Sequence, residues 1–135
     1  MASPRVLLAD DAPEILEKVK QLLGKDFDIV GLARNGADAL EARCKLDPDL
    51  LVLDISMPFL NGIQVASRLR DRGSRAKVIF VTVRDDRDYV EGAFAAGARG
   101  YVLKSRMATD LIPTVRDVLR GHIFASPFER EAAKA

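Results

Sequence analysis

Short apolar runs alternate with amphipathic stretches along most of the chain. Four runs are almost continuously apolar, at residues 6–9, 50–53, 78–81 and 101–103, and a weaker one covers residues 27–32. Continuous apolarity over so few residues is typical of strands that are covered on both faces, as in a parallel sheet. The pattern therefore predicts five strands, and the four continuous runs should be buried on both faces.

The stretches between these runs repeat apolar residues at helical spacing. Asn-Gly pairs at 35–36 and 61–62 precede two of them, and glycines at 24, 73, 97 and 121 follow four, as helix caps do. A proline is tolerated in the first helical turn, so Pro113 predicts that the last helix begins near Thr109. We expect an α/β fold, a single doubly wound (βα)5 domain with a flavodoxin-like parallel five-stranded sheet, order 2-1-3-4-5, and helices on both faces.

Length and composition narrow the classes of protein further. The chain has 135 residues, a formal net charge of +1 and one cysteine. These values indicate one globular domain, exclude an intrachain disulfide, and argue against a nucleic-acid-binding surface. No apolar run reaches the length of a membrane span and no signal peptide is recognisable, so we expect a cytoplasmic protein. We assign residues 1–121 to the domain and residues 122–135 to a C-terminal tail, a linker or a short helix.

Polar residues follow four of the predicted strands, at the end where open α/β sheets bind ligands. They are Asp10 and Asp11, Asp54, Thr82, and Lys104. If the first and third strands are neighbours, three carboxylates meet at one edge, where their repulsion raises a pKa or demands a cation. Mg²⁺ suits such oxygen ligands, and an aspartate can form an acyl phosphate. A hydroxyl and a fixed ammonium would complement a phosphoryl group.

Each of these residues also has a purely structural interpretation. Asp10 or Asp11 could be the N-cap of the helix that contains Pro13, and Asp54 could be a turn residue. The glycine spacing of residues 31–36 resembles a P-loop, but Ala37-Asp38 stands where Lys-Ser/Thr is needed. The joint pattern, rather than any one residue, favours the phosphoryl-binding interpretation.

Four ordered motifs resemble the receiver domain of a two-component response regulator, most closely the LuxR/NarL class. They are Leu-Leu-Ala-Asp-Asp at 7–11, Leu-Asp-Ile-Ser-Met-Pro-Phe-Leu-Asn-Gly at 53–62, Val-Thr at 81–82, and Gly-Ala-Arg-Gly-Tyr-Val-Leu-Lys at 97–104. The resemblance covers about residues 5–121. It implies a signalling module that accepts phosphate rather than a turnover enzyme, with only self-catalysed phosphotransfer and slow autodephosphorylation.

The resemblance also implies a role for each site residue. Asp54 is expected to be the phosphoacceptor, and Lys104 the lysine that pairs with the acyl phosphate. The Mg²⁺ ligands would be Asp11 directly, Asp10 through water, Asp54, and the backbone carbonyl of Ser56. Thr82 would be the switch hydroxyl and Tyr101 the switch aromatic, which turns inward as Thr82 moves.

Two residues, Ser105 and Val83, depart from the family pattern. Ser105 stands after Lys104, where many receivers carry proline. Val83 stands where a small residue usually opens access to Asp54, so we expect altered phosphorylation or dephosphorylation rates. Arg84 and Ser56 lie where the family tunes hydrolysis lifetime.

The implied partner is a sensor histidine kinase. A homodimer through the last strand and helix is a further hypothesis, and we expect no DNA binding by this chain alone and no membrane contact. The chain is either a stand-alone receiver or the receiver portion of a longer regulator. Two alternatives are a receiver-like scaffold that signals without phosphate, and a small aspartate-nucleophile phosphatase. Ser56 disfavours the phosphatase, because a second aspartate is needed at that position.

Three other residue types receive structural interpretations. We expect Cys44 to be a small buried residue on an amphipathic helix and His122 to lie on the surface. Asp85-Asp86 is expected to cap the helix that follows the fourth strand.

Overall fold

The computed structural model describes residues 3–126, with side chains up to residue 123. Strands and helices alternate as predicted. The strands are β1 (Arg5–Ala9), β2 (Asp28–Ala33), β3 (Leu50–Leu53), β4 (Lys77–Thr82), β5 (Gly100–Leu103) and β6 (Phe124–Ser126). The helices are α1 (Pro13–Leu23), α2 (Gly36–Leu46), α3 (Gly62–Asp71), α4 (Arg87–Ala95) and α5 (Met107–Leu119).

The predicted order of the first five strands is confirmed. The sheet runs β2-β1-β3-β4-β5-β6, and each neighbouring pair is parallel. The prediction did not include β6, a three-residue strand that pairs with Gly100–Val102 along the outer edge of β5. This strand lies inside the segment that we assigned to the tail. Residues 127–135 lie outside the described part, so the short helix or linker expected there stays a prediction.

Alternate residues of the central strands pack against helices on opposite faces. Leu7 and Ala9 of β1 belong to the core that α2, α3 and α4 cover, whereas Val6 and Leu8 belong to the core under α1 and α5. Burial of one large apolar side chain stabilises the fold by about 1.5–3 kcal/mol. The two cores therefore fix the sheet, and with it the positions of the strand ends.

Two asparagines cap helices as predicted. The side chain of Asn35 accepts a hydrogen bond from the Asp38 N–H, at 2.8 Å. Asn61 does the same with the N–H of Gln64 at 2.8 Å, and the Gln64 side chain accepts in return from the Asn61 N–H at 2.9 Å. This reciprocal capping fixes the start of α3 next to the end of β3.

The predicted start of the last helix is wrong. A 3₁₀ turn, Lys104–Arg106, leads into α5 at Met107 rather than near Thr109, and Pro113 lies inside the helix. An internal proline removes a backbone hydrogen bond and costs about 3 kcal/mol. Packing of the helix on the sheet offsets that cost through three fully buried side chains, Leu111, Val115 and Val118.

The predicted burial of Cys44 is also wrong, because its thiol side chain is exposed. Helix α2 directs Ala39 and Leu40 into the core, and Cys44 lies just beyond the solvent edge of that face. His122 is exposed, as predicted. Among residues 3–126, no helix is long and apolar enough to cross a membrane.

Candidate functional site

The carboxyl ends of β1 and β3 bring three carboxylates together. The backbone N–H of Asp54 donates to the carbonyl of Ala9 at 2.9 Å, which extends the pairing of β1 with β3 by one residue. Asp10, Asp11 and Asp54 each offer one carboxylate oxygen, and these oxygens lie within 4.8 Å of one another. The convergence expected from the sheet order is therefore present.

Lys104 supplies the positive charge of this cluster. Its Nζ donates to Oδ2 of Asp10 at 2.8 Å and to Oδ2 of Asp54 at 3.2 Å, and its side chain is only 14% exposed. The other oxygens accept from the backbone: Asp10 Oδ1 from the Ala12 N–H at 2.9 Å, and Asp54 Oδ1 from the Ile55 N–H at 2.8 Å. Both buried carboxylates are thus held in one orientation.

The charges of the cluster do not balance, since three carboxylates face one ammonium. Burial raises the pKa of Asp10, although its hydrogen bonds with Lys104 and Ala12 act in the opposite direction. Burial alone would lower the pKa of Lys104. The hydrogen bond to Asp10 and the charge of Asp54 outweigh it, so that pKa is raised.

Neither aspartate of the first pair takes the N-cap position of α1. That position belongs to Ala12, with Pro13 as the first helical residue. Asp10 points instead to Lys104, and Asp11 is exposed at the rim of the sheet. The interpretation of these two residues as plain caps is therefore excluded.

An open cavity of about 410 Å³ leads to the cluster. It is lined by Asp11 and by the β3–α3 loop, including Ser56 and Pro58, with Tyr89 of α4 on the other side. Ser56 is exposed, and its hydroxyl oxygen accepts a hydrogen bond from Nε of Arg84 at 3.3 Å. The cavity therefore opens on the Asp11 side of the acidic cluster.

The start of α3 packs directly on the end of β3. A Cβ atom on Gly62 would lie 2.2 Å from the carbonyl oxygen of Asp54 and 2.7 Å from the ring of Phe80. The N–H of Gly62 donates to the carbonyl of Ile55 at 2.8 Å. Only glycine allows this approach, which closes the loop that carries Ser56.

Thr82 and Tyr101 are linked through the backbone of Arg84. Thr82 is fully buried at the end of β4, and its Oγ1 accepts from the Arg84 N–H at 3.3 Å. Tyr101 is fully buried on β5, and its hydroxyl donates to the Arg84 carbonyl at 2.6 Å. Burial raises the pKa of Tyr101, and the charges of Asp86 and Asp85 raise it further. Tyr101 thus already points inward in this structure.

The contacts made by Arg84 were not foreseen from the sequence. Its guanidinium lies over the ring of Tyr89, 5.0 Å from the centroid, in addition to the bond to Ser56. The available signal was its place two residues after the strand-ending Thr82. Val83 is 67% exposed. The expectation that it alters the phosphorylation or dephosphorylation rate stays a prediction. Asp86 takes the N-cap position of α4 as expected, but its side chain makes no capping hydrogen bond.

The fold and the site together define a response regulator receiver domain. The model of that family, described as the response regulator receiver domain, matches residues 6–116, and the chain belongs to it. The NarL response regulator of Escherichia coli K12 is 34% identical over 123 residues, 90% of this chain and 57% of the relative. An uncharacterised transcriptional regulatory protein of Bacillus subtilis, YvfU, is 38% identical over 125 residues, 91% of this chain and 62% of the relative.

Solved structures agree with this assignment. The receiver domain of a putative NarL regulator from Mycobacterium tuberculosis superposes with a TM-score of 0.86 at 32% identity, covering 90% of this chain and all of that one. By contrast, the chain spans only about three fifths of the length of the YvfU and E. coli NarL regulators. It covers 96% of CheY from Halobacterium salinarum, a chemotaxis protein that is 32% identical over 85% of this chain.

Proposed function

We propose that this chain is the phosphoacceptor of a two-component system, in which Asp54 receives the phosphoryl group. The observation that carries the proposal is the buried contact of Asp54 with Lys104, inside an acidic cluster that one ammonium does not neutralise. A site that serves only folding has no use for this excess of like charge, because it opposes the packed state. In a site that binds a cation and a phosphoryl group, the excess negative charge serves to hold the cation.

The donor set fits Mg²⁺. This ion takes oxygen ligands at roughly 2.0–2.1 Å in octahedral geometry, so opposite ligands lie about 4.2 Å apart. The carboxylate oxygens of Asp11 and Asp54 lie within 4.8 Å of each other, so direct binding of both to one ion needs only a small inward movement. We assign Asp11 and Asp54 as direct ligands, Asp10 as a ligand through water, and the carbonyl of Ser56 as the third direct ligand from the protein. The bound ion would neutralise charge on the phosphoryl oxygens.

The proposed step is an in-line displacement. An oxygen of Asp54 attacks phosphorus of a phosphohistidine, the new O–P bond forms as the P–N bond breaks, and the electron pair returns to the imidazole of the donor. Lys104, already 3.2 Å from Asp54, then pairs with a phosphoryl oxygen. A small acyl phosphate donates in the same way, with carboxylate as the leaving group.

The proposed switch uses the contacts at Arg84. The Thr82 hydroxyl gives up the Arg84 N–H and donates instead to a phosphoryl oxygen. Because Tyr101 is bonded to the Arg84 carbonyl, movement of that backbone is passed to Tyr101 and to the surface beside β5. A local change of charge would thereby bias a protein-interaction surface.

The partner that this function requires is a sensor histidine kinase, and we propose that the chain meets it in the cytoplasm. We keep the homodimer through the last strand and helix as a proposal. The outer edge of β5 is paired with β6 of the same chain, so the contact would have to involve α5 or β6. We propose no DNA binding by this chain alone, since its net charge is only +1.

Intact-mass measurement after incubation with acetyl phosphate and Mg²⁺ tests the function. The wild type should gain one phosphoryl group, and Asp54→Ala should gain none. Asp49→Ala, at the opposite end of the sheet, is the matched control and should be labelled like the wild type. An unlabelled wild type would favour a scaffold that signals without phosphate, and labelling of Asp54→Ala would move the acceptor elsewhere.

A further inference from the structure

Phe59 occupies a backbone conformation that aromatic residues rarely adopt. It lies in the loop between β3 and α3 with φ +70°. The N–H of Leu60 donates to the carbonyl of Pro58 at 2.9 Å, which closes a γ-turn around Phe59. The form of this turn with positive φ is rare and strained, and a glycine would adopt it without a Cβ penalty. The sequence nevertheless places a large aromatic residue there.

The fold gives the Phe59 ring little contact in return, since the residue is 84% exposed. The turn itself is well fixed. Leu60 packs so closely on α2 that a Cβ on Gly36 would lie 2.1 Å from the Leu60 carbonyl oxygen. Neither burial nor local mobility therefore accounts for an aromatic side chain at this strained position. Backbone strain of this kind is found where a function maintains it.

Phe59 lies in the β3–α3 loop, which follows directly on Asp54, the proposed phosphoacceptor. Pro58, its neighbour in the chain, lines the same cavity as Asp11, which belongs to the acidic cluster with Asp54. A protein–protein interface of standard size covers about 800 Å² on each partner, roughly a disc of 16 Å radius. Five residues of chain span at most about 17 Å, and this loop folds back through the bond from Gly62 to Ile55. An interface of this size that is centred on Asp54 would therefore also cover Phe59.

We propose that Phe59 is the anchor residue that docks the protein phosphodonor, and that its ring inserts into an apolar pocket beside the phosphohistidine. This inference rests on the proposed function. Exposed aromatic residues near the centre of an interface often carry much of its binding energy. A second copy of this chain is a poorer occupant, because contact through this rim would oppose two acidic clusters.

Two phosphodonors of different size test the inference. Purified sensor kinases, each carrying radiolabelled phosphohistidine, are assayed one by one with the wild type, and the fastest donor is kept. Its transfer rate is then compared with labelling by acetyl phosphate in Phe59→Gly, which relieves the turn, and in Phe59→Tyr, which keeps an aromatic ring. Ile123→Ser is the matched control, since Ile123 is 51% exposed and precedes β6 at the opposite end of the sheet.

For Phe59→Gly we expect kcat/KM for transfer from the kinase to fall about tenfold or more, mainly through KM, as for loss of an interface anchor. Labelling by acetyl phosphate should keep its wild-type rate. Phe59→Tyr and Ile123→Ser should resemble the wild type with both donors.

Three results would overturn the inference. They are unchanged kinase transfer in Phe59→Gly, an equal loss with both donors, and the absence of any kinase donor while acetyl phosphate still labels the chain. Failure of the proposed function looks different, since the wild type would then accept phosphate from neither source. Self-association of the wild type that Phe59→Gly abolishes would assign the residue to a dimer instead.

Discussion

The two ends of the sheet treat charged residues differently. At the amino-terminal ends of the strands, charged side chains meet either one opposite charge or backbone groups, and they remain partly in water. Asp49 accepts from the Arg5 N–H at 2.8 Å, and Arg116 meets Asp26 at 3.2 Å with both side chains half exposed. Lys77 donates to carbonyls at the last turn of α5, where a cation is favourable. Ordinary requirements of folding explain every one of these contacts.

At the carboxyl-terminal ends the same sheet buries an excess of one sign. Asp10 and Asp54 are each 5% exposed in their side chains and share one ammonium, while Asp11 adds a third negative charge nearby. The contrast teaches that this end is arranged for a ligand rather than for stability. Substitutions at the two ends should therefore change the free energy of unfolding by different amounts, and in one case in opposite directions.

The largest loss of stability should come from adding one methyl group where α3 packs on the end of β3. Gly62→Ala places Cβ 2.2 Å from the Asp54 carbonyl oxygen, a backbone atom that cannot move without opening the loop. We expect the free energy of unfolding to fall by about 3–5 kcal/mol, at or above the usual cost of overpacking. Chemical denaturation followed by circular dichroism measures it.

Gly92→Ala is the control for this substitution. A Cβ there meets only the end of the Ile63 side chain, at 3.7 Å, within α4. It should raise stability by about 0.5–1 kcal/mol, the ordinary helix-propensity difference. Equal losses in both variants would show that the carboxyl end is no tighter than a helix surface.

Removal of the ammonium should have the second largest effect. Lys104→Met leaves Asp10 and Asp54 without their shared partner in a nearly buried site. At pH 7 without divalent cations, we expect the free energy of unfolding to fall by about 2–3 kcal/mol. This loss is smaller than the full cost of breaking a buried ion pair, because the lysine is partly exposed. Arg116→Met, which breaks an exposed pair at the other end, should cost under about 1 kcal/mol. A smaller loss for Lys104→Met than for Arg116→Met would contradict the comparison.

Removal of one carboxylate should stabilise the carboxyl end. Asp54→Asn keeps an oxygen for the Ile55 N–H and leaves Lys104 bound to Asp10 at 2.8 Å, while one repulsive charge disappears. We expect a gain of about 1–2 kcal/mol without divalent cations, the equivalent of roughly one pKa unit of charge interaction.

The corresponding change at the amino-terminal end should have the opposite sign. Asp26→Asn removes the carboxylate that pairs with Arg116 and should lower stability by up to about 1 kcal/mol. Thermal melts of both variants in parallel supply the measurement. A loss in Asp54→Asn would mean that the acidic cluster contributes net stability.

The strand order and the converging acids followed from the sequence because both depend on short-range patterns. Five apolar runs, each followed by a helix, leave few arrangements, and the polar residues at four of the strand ends then have fixed places. Asp10, Asp54 and Lys104 were located in this way without knowledge of any distance.

The features that were missed depend on tertiary packing. Pro113 breaks a local rule, but buried neighbours on the same helix outweigh its cost. Cys44 fits the helical spacing, yet around the helix axis it lies just outside the face of α2 that packs on the sheet. The links made by Arg84 require the β4–α4 loop to lie against Ser56 and Tyr101, which spacing along the chain does not reveal. Side-chain chemistry at strand ends is thus predictable, whereas contacts between loops are not.

The smallest effect should appear at high pH and concerns the contact between Tyr101 and the Arg84 backbone. Burial raises the pKa of Tyr101 above its ordinary value of 10.0, with the charges of Asp86 and Asp85 in support. A folded-state pKa above the unfolded value gives stability below about pH 10 that is lost as the pH rises toward the folded value.

In a Tyr89→Phe background Tyr101 is the only tyrosine, so tyrosinate absorbance should rise only together with alkaline unfolding. Tyr101→Phe should lower stability at pH 7 by about 1 kcal/mol, the value of one hydrogen bond, and should remove that pH dependence. Tyrosinate formation near pH 10 while the fold persists would show that the hydroxyl is accessible, and that the link between Arg84 and β5 is open in solution.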